Sequence, residues 1–288
     1  MTWEDLDRDL AGAPGTISAY VGPLGAQPAY ARLPAATHYA ASTMKVGVLA
    51  ALYRAGEAGM LDLDRPVPVR NEFDSALPTA PRFSCDRDDD NDDAVWQAEG
   101  SLAPLRWLAQ RMIVKSSNLA TNIVISHVGL AAVAGVWAQA GARHSVTGRG
   151  IEDAAAREAG ITNLVAAADL AALFGAIVLG ADRPGPIAAP ATCRAMLDVL
   201  LAQERREDLA AGLPDGVRIA HKNGWVRGVR HGAGVVFPDD APPYVIAVCT
   251  TTDLADGGES GDGADDAACR LIARVSATAW ERRHQLGG

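Results

Sequence analysis

No C-x-x-C pair occurs in this chain. Its four cysteines, Cys85, Cys193, Cys249 and Cys269, stand far apart, with no histidine at a zinc-ligand spacing from any of them. The usual zinc and dithiol patterns are thereby excluded, and four free thiols are expected; one bridged pair stays open. Basic residues are in the minority, 26 against 35 acidic, for a net charge of −9. A phosphate backbone needs a basic face, so no nucleic-acid partner is expected. Long apolar runs are missing too. The longest stretch without Asp, Glu, Lys or Arg, Ser116 to Ala142, carries Ser116, Ser117, Asn118, Thr121, Asn122, Ser126, His127 and Gln139. That polar load disfavours a membrane span. The opening MTWEDLDRDL lacks the basic start and apolar run of a secretory signal. The expectation for the chain as numbered is therefore a cytoplasmic protein with no membrane partner. No internal repeat is visible.

What remains is the composition of a globular protein: 288 residues, 49% hydrophobic and 21% charged. At roughly 150 residues per domain this is one large unit or two small ones, long enough to bury a core without disulfide or metal. Residues 3–11 read as an amphipathic helix. TISAYV (16–21) and AYARL (29–33) read as a β-hairpin around GPLGAQP. A helix is expected over 42–58, with Val46, Leu49, Ala50 and Tyr53 at helical spacing and Gly59 as its stop. Residues 62–101 read as irregular. Helices are expected at 102–114, 118–129, 130–141, 164–179 and 190–204, with 142–163 a loop. VRIAHKNG, AGVVFPD and YVIAVCTTT then read as strands, and the loop 253–264 leads to a final helix over 265–284. Strands lie at both chain ends and helices between them, which disfavours an alternating βαβ sheet.

The chemistry concentrates in three short motifs. Ser42-Thr43-Met44-Lys45 is an S-x-x-K tetrad opening a helix. Positions i and i+3 share a helix face, so the Ser42 hydroxyl and the Lys45 amine fall on one side. The helix N-terminus adds unpaired N–H groups and a positive dipole end. Taken alone, this motif reads equally as an N-cap serine with a solvated lysine. Further along stand Ser116-Ser117-Asn118, and then Lys222-Asn223-Gly224 in a strand.

With all three in order, the sequence resembles the penicillin-recognising serine enzymes, and within them the class A β-lactamase-like serine hydrolases, whose elements are S-x-x-K, S-D-N and K-T-G. The resemblance spans about residues 16–283. Asn122 fits the extended S-D-N-x-x-x-N form, and HKNGW followed by GVRHGAG is similar to a non-secreted branch. The implied fold is α/β and β-lactamase/transpeptidase-like. An antiparallel sheet of about five strands is flanked by terminal helices, with an all-helical subdomain beside it. Residues 1–288 form one unit on this reading, its α/β layer from 1–41 and 213–288 and its helical layer from 42–212. The resemblance makes Ser42 the acyl-accepting nucleophile, Lys45 the proton acceptor and Ser116 the shuttle to the leaving nitrogen. Asn118 binds the substrate amide and contacts Lys45, and Lys222 supplies positive charge. The backbone N–H groups of Ser42 and Trp225 form the oxyanion hole beside Asn223 and Gly224. Arg230 and His231 are candidates for the carboxylate side of the pocket, each with an equally plausible structural role. His221 is read as packing behind the site.

Three departures qualify the match. Ser117 replaces the aspartate of S-D-N, and Asn223 replaces the threonine of K-T-G. The family's E-x-x-L-N loop is absent from GRGIEDAAAREAGITNL (148–164). Glu152 is the nearest candidate for a water-activating base, with Arg149 as a candidate ion partner; Glu158 is a weaker one. Without a placed base, the acyl-enzyme would be long-lived.

The acidic run 86–93 lacks the glycine a calcium loop needs and reads as a solvated loop. GGESGD (257–262) reads as a flexible loop. Trp3, Trp107, Trp137 and Trp280 are expected to pack helices, and Trp96 is a candidate for the pocket rim. The expected function is a serine hydrolase acting on a β-lactam or related amide, with a small-molecule substrate, no cofactor, no metal, and a monomeric or homodimeric state. Two alternatives stand beside it: a cytosolic esterase, amidase or acyl-transfer enzyme on a small metabolite, and a degenerate acyl-binding protein.

Overall fold

The computed structural model describes residues 1–258 and 266–286. A five-stranded antiparallel sheet draws its strands from the two ends of the chain. Strands β1 (Thr16–Pro23) and β2 (Tyr30–Arg32) come from the start; β8 (Arg218–Val226), β9 (Val229–Phe237) and β10 (Tyr244–Thr251) come from the end. Their order is β2-β1-β10-β9-β8, and β1 joins the halves by pairing with β10 along its length, Thr16 opposite Thr251 and Pro23 opposite Tyr244.

Strand alternation divides the core in two. Tyr244, Ile246 and Val248 of β10, Val236 of β9 and Ile219 of β8 pack with Leu6, Leu10, Leu271 and Ile272. Those partners belong to the terminal helices α1 (Trp3–Gly12) and α10 (Ala267–Glu281). The intervening residues Val245, Ala247, Cys249, Ala233, Val235 and Ala220 face the opposite way into a larger, mostly helical core.

That larger core is built around α2 (Lys45–Glu57), in which every residue from Lys45 to Tyr53 is buried. A helix apolar on all sides belongs inside a protein. Around it lie α4 (Leu105–Val114), α5 (Asn118–Val128), α6 (Leu130–Gln139) and α9 (Pro190–Leu201), while α8 (Ala167–Asp182) packs on the sheet.

The structure refines several sequence-based boundaries. The helix expected from 42 begins as a 3₁₀ turn, Ala41–Met44, that runs directly into α2. Pro104 caps α4, so that helix starts at Leu105. The segment 62–101 is not wholly irregular: β4 (Pro66–Pro68) pairs with β5 (Leu102–Pro104), and α3 (Asp93–Gln97) holds Val95 and Trp96 in the core. Trp96 is thereby withdrawn from the pocket rim. Between 142 and 163 lie β6 (Val146–Thr147) and α7 (Ala154–Glu158); β6 and the short β3 (Thr37–Tyr39) flank β7 (Asn163–Ala166). Most of GGESGD falls outside the described residues. All four cysteines are free and buried. Among the described residues no single helix is long and apolar enough to cross a membrane, and no group of His, Cys, Asp or Glu is arranged to hold a metal ion.

Candidate active site

The three motifs meet where the N-terminal end of α2, the N-terminal end of α5 and the strand β8 come together. Lys45 lies in the first turn of α2, fully buried. Its Nζ donates to the Ser116 carbonyl at 2.7 Å and to Asn118 Oδ1 at 2.9 Å, with Ser116 Oγ at 3.3 Å. From the other side Lys222, also fully buried, donates to Ser116 Oγ at 3.1 Å and to the Asn223 carbonyl at 2.9 Å. One hydroxyl therefore sits between two buried amines. Burial pushes the Lys45 amine down to about 8, partly opposed by the nearby carboxylates Asp90 and Glu152. Burial, and then the nearby Lys45 charge, drive Lys222 well below the ordinary lysine range. A neutral Lys45 has two hydrogens, which its two closest acceptors satisfy, leaving a lone pair to receive a proton.

Ser42, on the 3₁₀ turn, is partly exposed in a cleft of about 510 Å³. Its hydroxyl has no hydrogen-bond partner among the described residues; the Lys45 amine is drawn instead to Ser116 and Asn118. The edge strand β8 presses on this turn. A Cβ added at Gly224 would lie 2.7 Å from Ser42 N and 2.9 Å from Thr43 N. Trp225 pairs with Arg230, whose N–H donates across the other side to Thr250 Oγ1. In an alternating antiparallel ladder this turns the Trp225 N–H away from β9, toward the open edge.

The second motif is held by the acidic loop that the composition suggested was merely solvated. Ser117 caps α5, accepting from Ala120 N, and donates its hydroxyl to Asp90 Oδ2 at 3.1 Å; that oxygen also accepts from Leu119 N at 2.8 Å. Where the motif lacks its own aspartate, Asp90 supplies a carboxylate from a separate loop. Asn118 Nδ2 donates to the Asp89 carbonyl at 3.1 Å and to Glu152 Oε1 at 3.3 Å.

Glu152 lines the same cleft. Its Oε2 accepts from Asp86 N. Burial raises its carboxyl above the ordinary value, and Asp89 and Asp90 add to the rise, against the hydrogen bonds from Asp86 and Asn118. The loop bearing it is clamped on both sides. Asn122 accepts from Ile151 N and donates to the Ile151 carbonyl at 2.8 and 2.9 Å. Asn163 accepts from Gly148 N and Arg149 N and donates back to the Arg149 carbonyl. Asp153 takes Ser75 Oγ and Ala76 N, each at 2.7 Å. The expected Arg149–Glu152 ion pair does not form: the Arg149 side chain donates to the Gly150 carbonyl and Tyr39 Oη. Glu158 is exposed at the end of α7, away from the cleft lining.

Four non-glycine residues among those described have left-handed backbone, and three belong here: Ala41 (φ +43), Ser116 (φ +63) and Glu152 (φ +65). Each costs on the order of 1–3 kcal/mol, and such strain gathers at functional sites.

Strand alternation separates the remaining candidates. Lys222 and Gly224 lie on the face of the helical core, and His221 and Trp225 alternate to the other face; Asn223 shares their register, yet its Oδ1 stays 3.4 Å from the Lys222 amine. Asn223 is fully buried, and its Nδ2 has no partner among the described residues. Arg230 is opposite Trp225 and shares that far face. Its guanidinium is bound to Glu207 at 3.0 Å and Asp208 at 3.2 Å, 5.0 Å from the Trp225 ring centre. It is 2% exposed and lies outside the cleft lining. His231 is on the site's face, where its Nε2 lies 2.8 Å from the Tyr39 carbonyl, just ahead of the Ser42 turn.

Residues 2–282 match the beta-lactamase enzyme family. Among solved structures, PBP-A superposes with a TM-score of 0.78 at 22% identity, covering 99% of this chain and 96% of that one. A PBP-A variant in an acyl-enzyme complex with penicillin G superposes at 0.76 and 23%, with coverage of 99% and 96%. The beta-lactamase of Sphaerobacter thermophilus DSM 20745 superposes at 0.76 and 25%, with coverage of 99% and 98%. No curated protein matches the chain.

Proposed function

The chain belongs to the beta-lactamase enzyme family, and from that premise we propose that it is a serine hydrolase that acylates Ser42 with a β-lactam or related amide and then releases the acid by hydrolysis. The observation that carries this reading is the Ser116 hydroxyl held between the buried amines of Lys45 and Lys222, at 3.3 and 3.1 Å. A structural role would require no second buried amine there, and burying two ionisable amines side by side is costly. The similar fold of a PBP-A variant holding penicillin G as an acyl-enzyme supports the same chemistry.

In acylation, Ser42 Oγ attacks the carbonyl carbon and Lys45 takes its proton. The oxyanion lies against the N–H groups of Ser42 and Trp225. Ser116, between the two amines, passes a proton to the nitrogen as the C–N bond breaks. In deacylation, water attacks the ester carbonyl while Glu152 takes its proton; as the C–O bond breaks, the Ser42 oxygen leaves and that proton is returned to it, restoring both the hydroxyl and the Glu152 carboxylate.

The oxyanion hole gives a first prediction. Gly224→Ala places a methyl within 2.7 Å of Ser42 N, against backbone that cannot swing aside. The turn and the strand must separate, and the hole opens. Loss of one oxyanion donor costs about 10²–10³ in rate, so kcat/KM should fall by about that factor, beside an overpacking cost of about 1–3 kcal/mol in a melting measurement. Unchanged kcat/KM would remove the hole from this place.

The reading as a whole is tested by incubating the protein with a chromogenic β-lactam, following colour and intact mass together. Turnover with a transient adduct is the expected result. A persistent adduct would mean that Ser42 acylates without an efficient water base. No adduct and no hydrolysis of the β-lactam or of simple esters would overturn the hydrolase reading.

A further inference from the structure

Arg149 lines the same cleft as Ser42 and is 2% exposed. Its contacts are with neutral groups alone: Nη1 donates to the Gly150 carbonyl at 3.0 Å, Nη2 donates to Tyr39 Oη at 3.3 Å, and the guanidinium carbon lies 5.7 Å from the Tyr39 ring centre. Its Nε is buried without a partner, and among the described residues no carboxylate forms a salt bridge with it. The contrast with Arg230 is direct, because that equally buried arginine is paired with two acids.

The carboxylates nearest in sequence are already committed. Glu152 accepts from Asp86 N and Asn118, and Asp153 accepts from Ser75, Ala76 and Ala156. Arg157, on the same wall, is exposed and without a partner among the described residues. Burying a guanidinium without an anion is expensive, and buried charges are ordinarily paired. The loop holds Arg149 in place all the same, through Asn163 on both sides of its peptide. This wall of the cleft thus presents a buried guanidinium that no carboxylate among the described residues pairs with, Asp89 in the same lining included.

We propose that the missing charge arrives with the substrate: Arg149, with Arg157 at the mouth, forms a subsite for a carboxylate carried on the acyl part, the part that remains on Ser42. This rests on the hydrolase reading above. In that reading the leaving nitrogen departs toward Ser116, while the loop of Arg149 is also the loop of Glu152, which serves the acyl group. The planar guanidinium fork suits a carboxylate.

The test compares two esters with the same six-carbon acyl chain, 4-nitrophenyl hexanoate and 4-nitrophenyl hydrogen adipate, which differ in a terminal carboxylate. Rates are corrected with Ser42→Ala protein. A charge-assisted contact of this kind predicts kcat/KM at least about tenfold higher for the adipate ester. That ratio should fall toward one in Arg157→Gln, whose exposed side chain leaves folding unaffected. It should also fall in Arg149→Lys, which keeps the charge and loses the fork. A ratio near one in the parent protein, or a ratio unmoved by both variants, would overturn the subsite. Hydrolysis of the neutral ester that depends on Ser42 would still stand, so the two readings fail separately. Direct binding of both esters to Ser42→Ala protein by calorimetry covers a chain that turns neither over. The adipate ester should bind at least tenfold more tightly, and equal affinities would sink the proposal.

Discussion

Replacing Ser42 with alanine is expected to abolish turnover and the covalent adduct together, leaving hydrolysis at least about 10³-fold below the parent protein. The residue supplies the bond that the whole sequence of steps depends on, and the hydroxyl of the second motif, Ser116, is fully buried. Lys45→Met should have nearly the same effect, because Ser42 without a base is a weak nucleophile. The double variant should be no worse than either single one, since groups that act as a unit lose their function together. An additive double variant would show that the lysine works elsewhere. The parent protein carries its own signature of the base. A lysine accepts a proton only when neutral, and burial brings Lys45 down to about 8. Acylation should therefore rise with pH and level off above a midpoint near 8. A rate that falls as pH climbs from 7 to 9 would exclude a neutral Lys45.

How far the sequence reveals this site depends on which interactions are local. The three motifs were visible because each is a short run on one element, and their order along the chain was enough to imply the fold. The strand patterns placed strands at both chain ends, and the resemblance supplied the sheet of about five strands that joins them. The faces of β8 and β9 needed more. Lys222-Asn223-Gly224 reads as one motif; alternation gives Asn223 the opposite register from its neighbours, and its Oδ1 nevertheless turns back to within 3.4 Å of the Lys222 amine. Arg230 lies on the far face because the β8–β9 turn pairs it with Trp225. The register was within reach of sequence reasoning: Arg227-Gly228 between two apolar strand runs is a two-residue hairpin turn, and counting back from it assigns each side chain to a face.

The acidic loop was less accessible. Asp90 reaches Ser117 and Leu119 across a long sequence separation, and a run of aspartates carries no local mark of which one turns inward. The absence of an acid at Ser117 was the only hint, since a motif that has lost its carboxylate invites a search for one elsewhere. Arg149 was seen only as a partner for Glu152, from their spacing. The loop's left-handed turn at Glu152 (φ +65) and the clamps from Asn122 and Asn163 decide instead where both side chains go.

Glu152→Gln separates the two halves of the reaction. Glutamine has the same shape and can still accept from Asn118 through its oxygen; its amide nitrogen cannot accept from Asp86 N as Oε2 does, and it takes no proton from water. Losing a positioned general base costs about 10²–10⁴ in rate, so deacylation should slow by that factor and intact mass should show an adduct that persists after the colour change stops. Acylation should respond in another way. The Glu152 charge is one of the groups that hold the Lys45 amine up; without it that amine falls further, and the acylation midpoint should move below that of the parent protein. The parent's own deacylation should show the complementary limb. Glu152 acts only when ionised, and burial raises its carboxyl above the ordinary value of 4.5, so deacylation should fail as pH drops through that raised midpoint while acylation still follows Lys45. A variant with unchanged deacylation and an unmoved acylation midpoint would place the water base outside this loop. A persistent adduct together with a lower midpoint would tie Glu152, Asn118 and Lys45 into one chain, in which the Asn118 amide touches the base of each step.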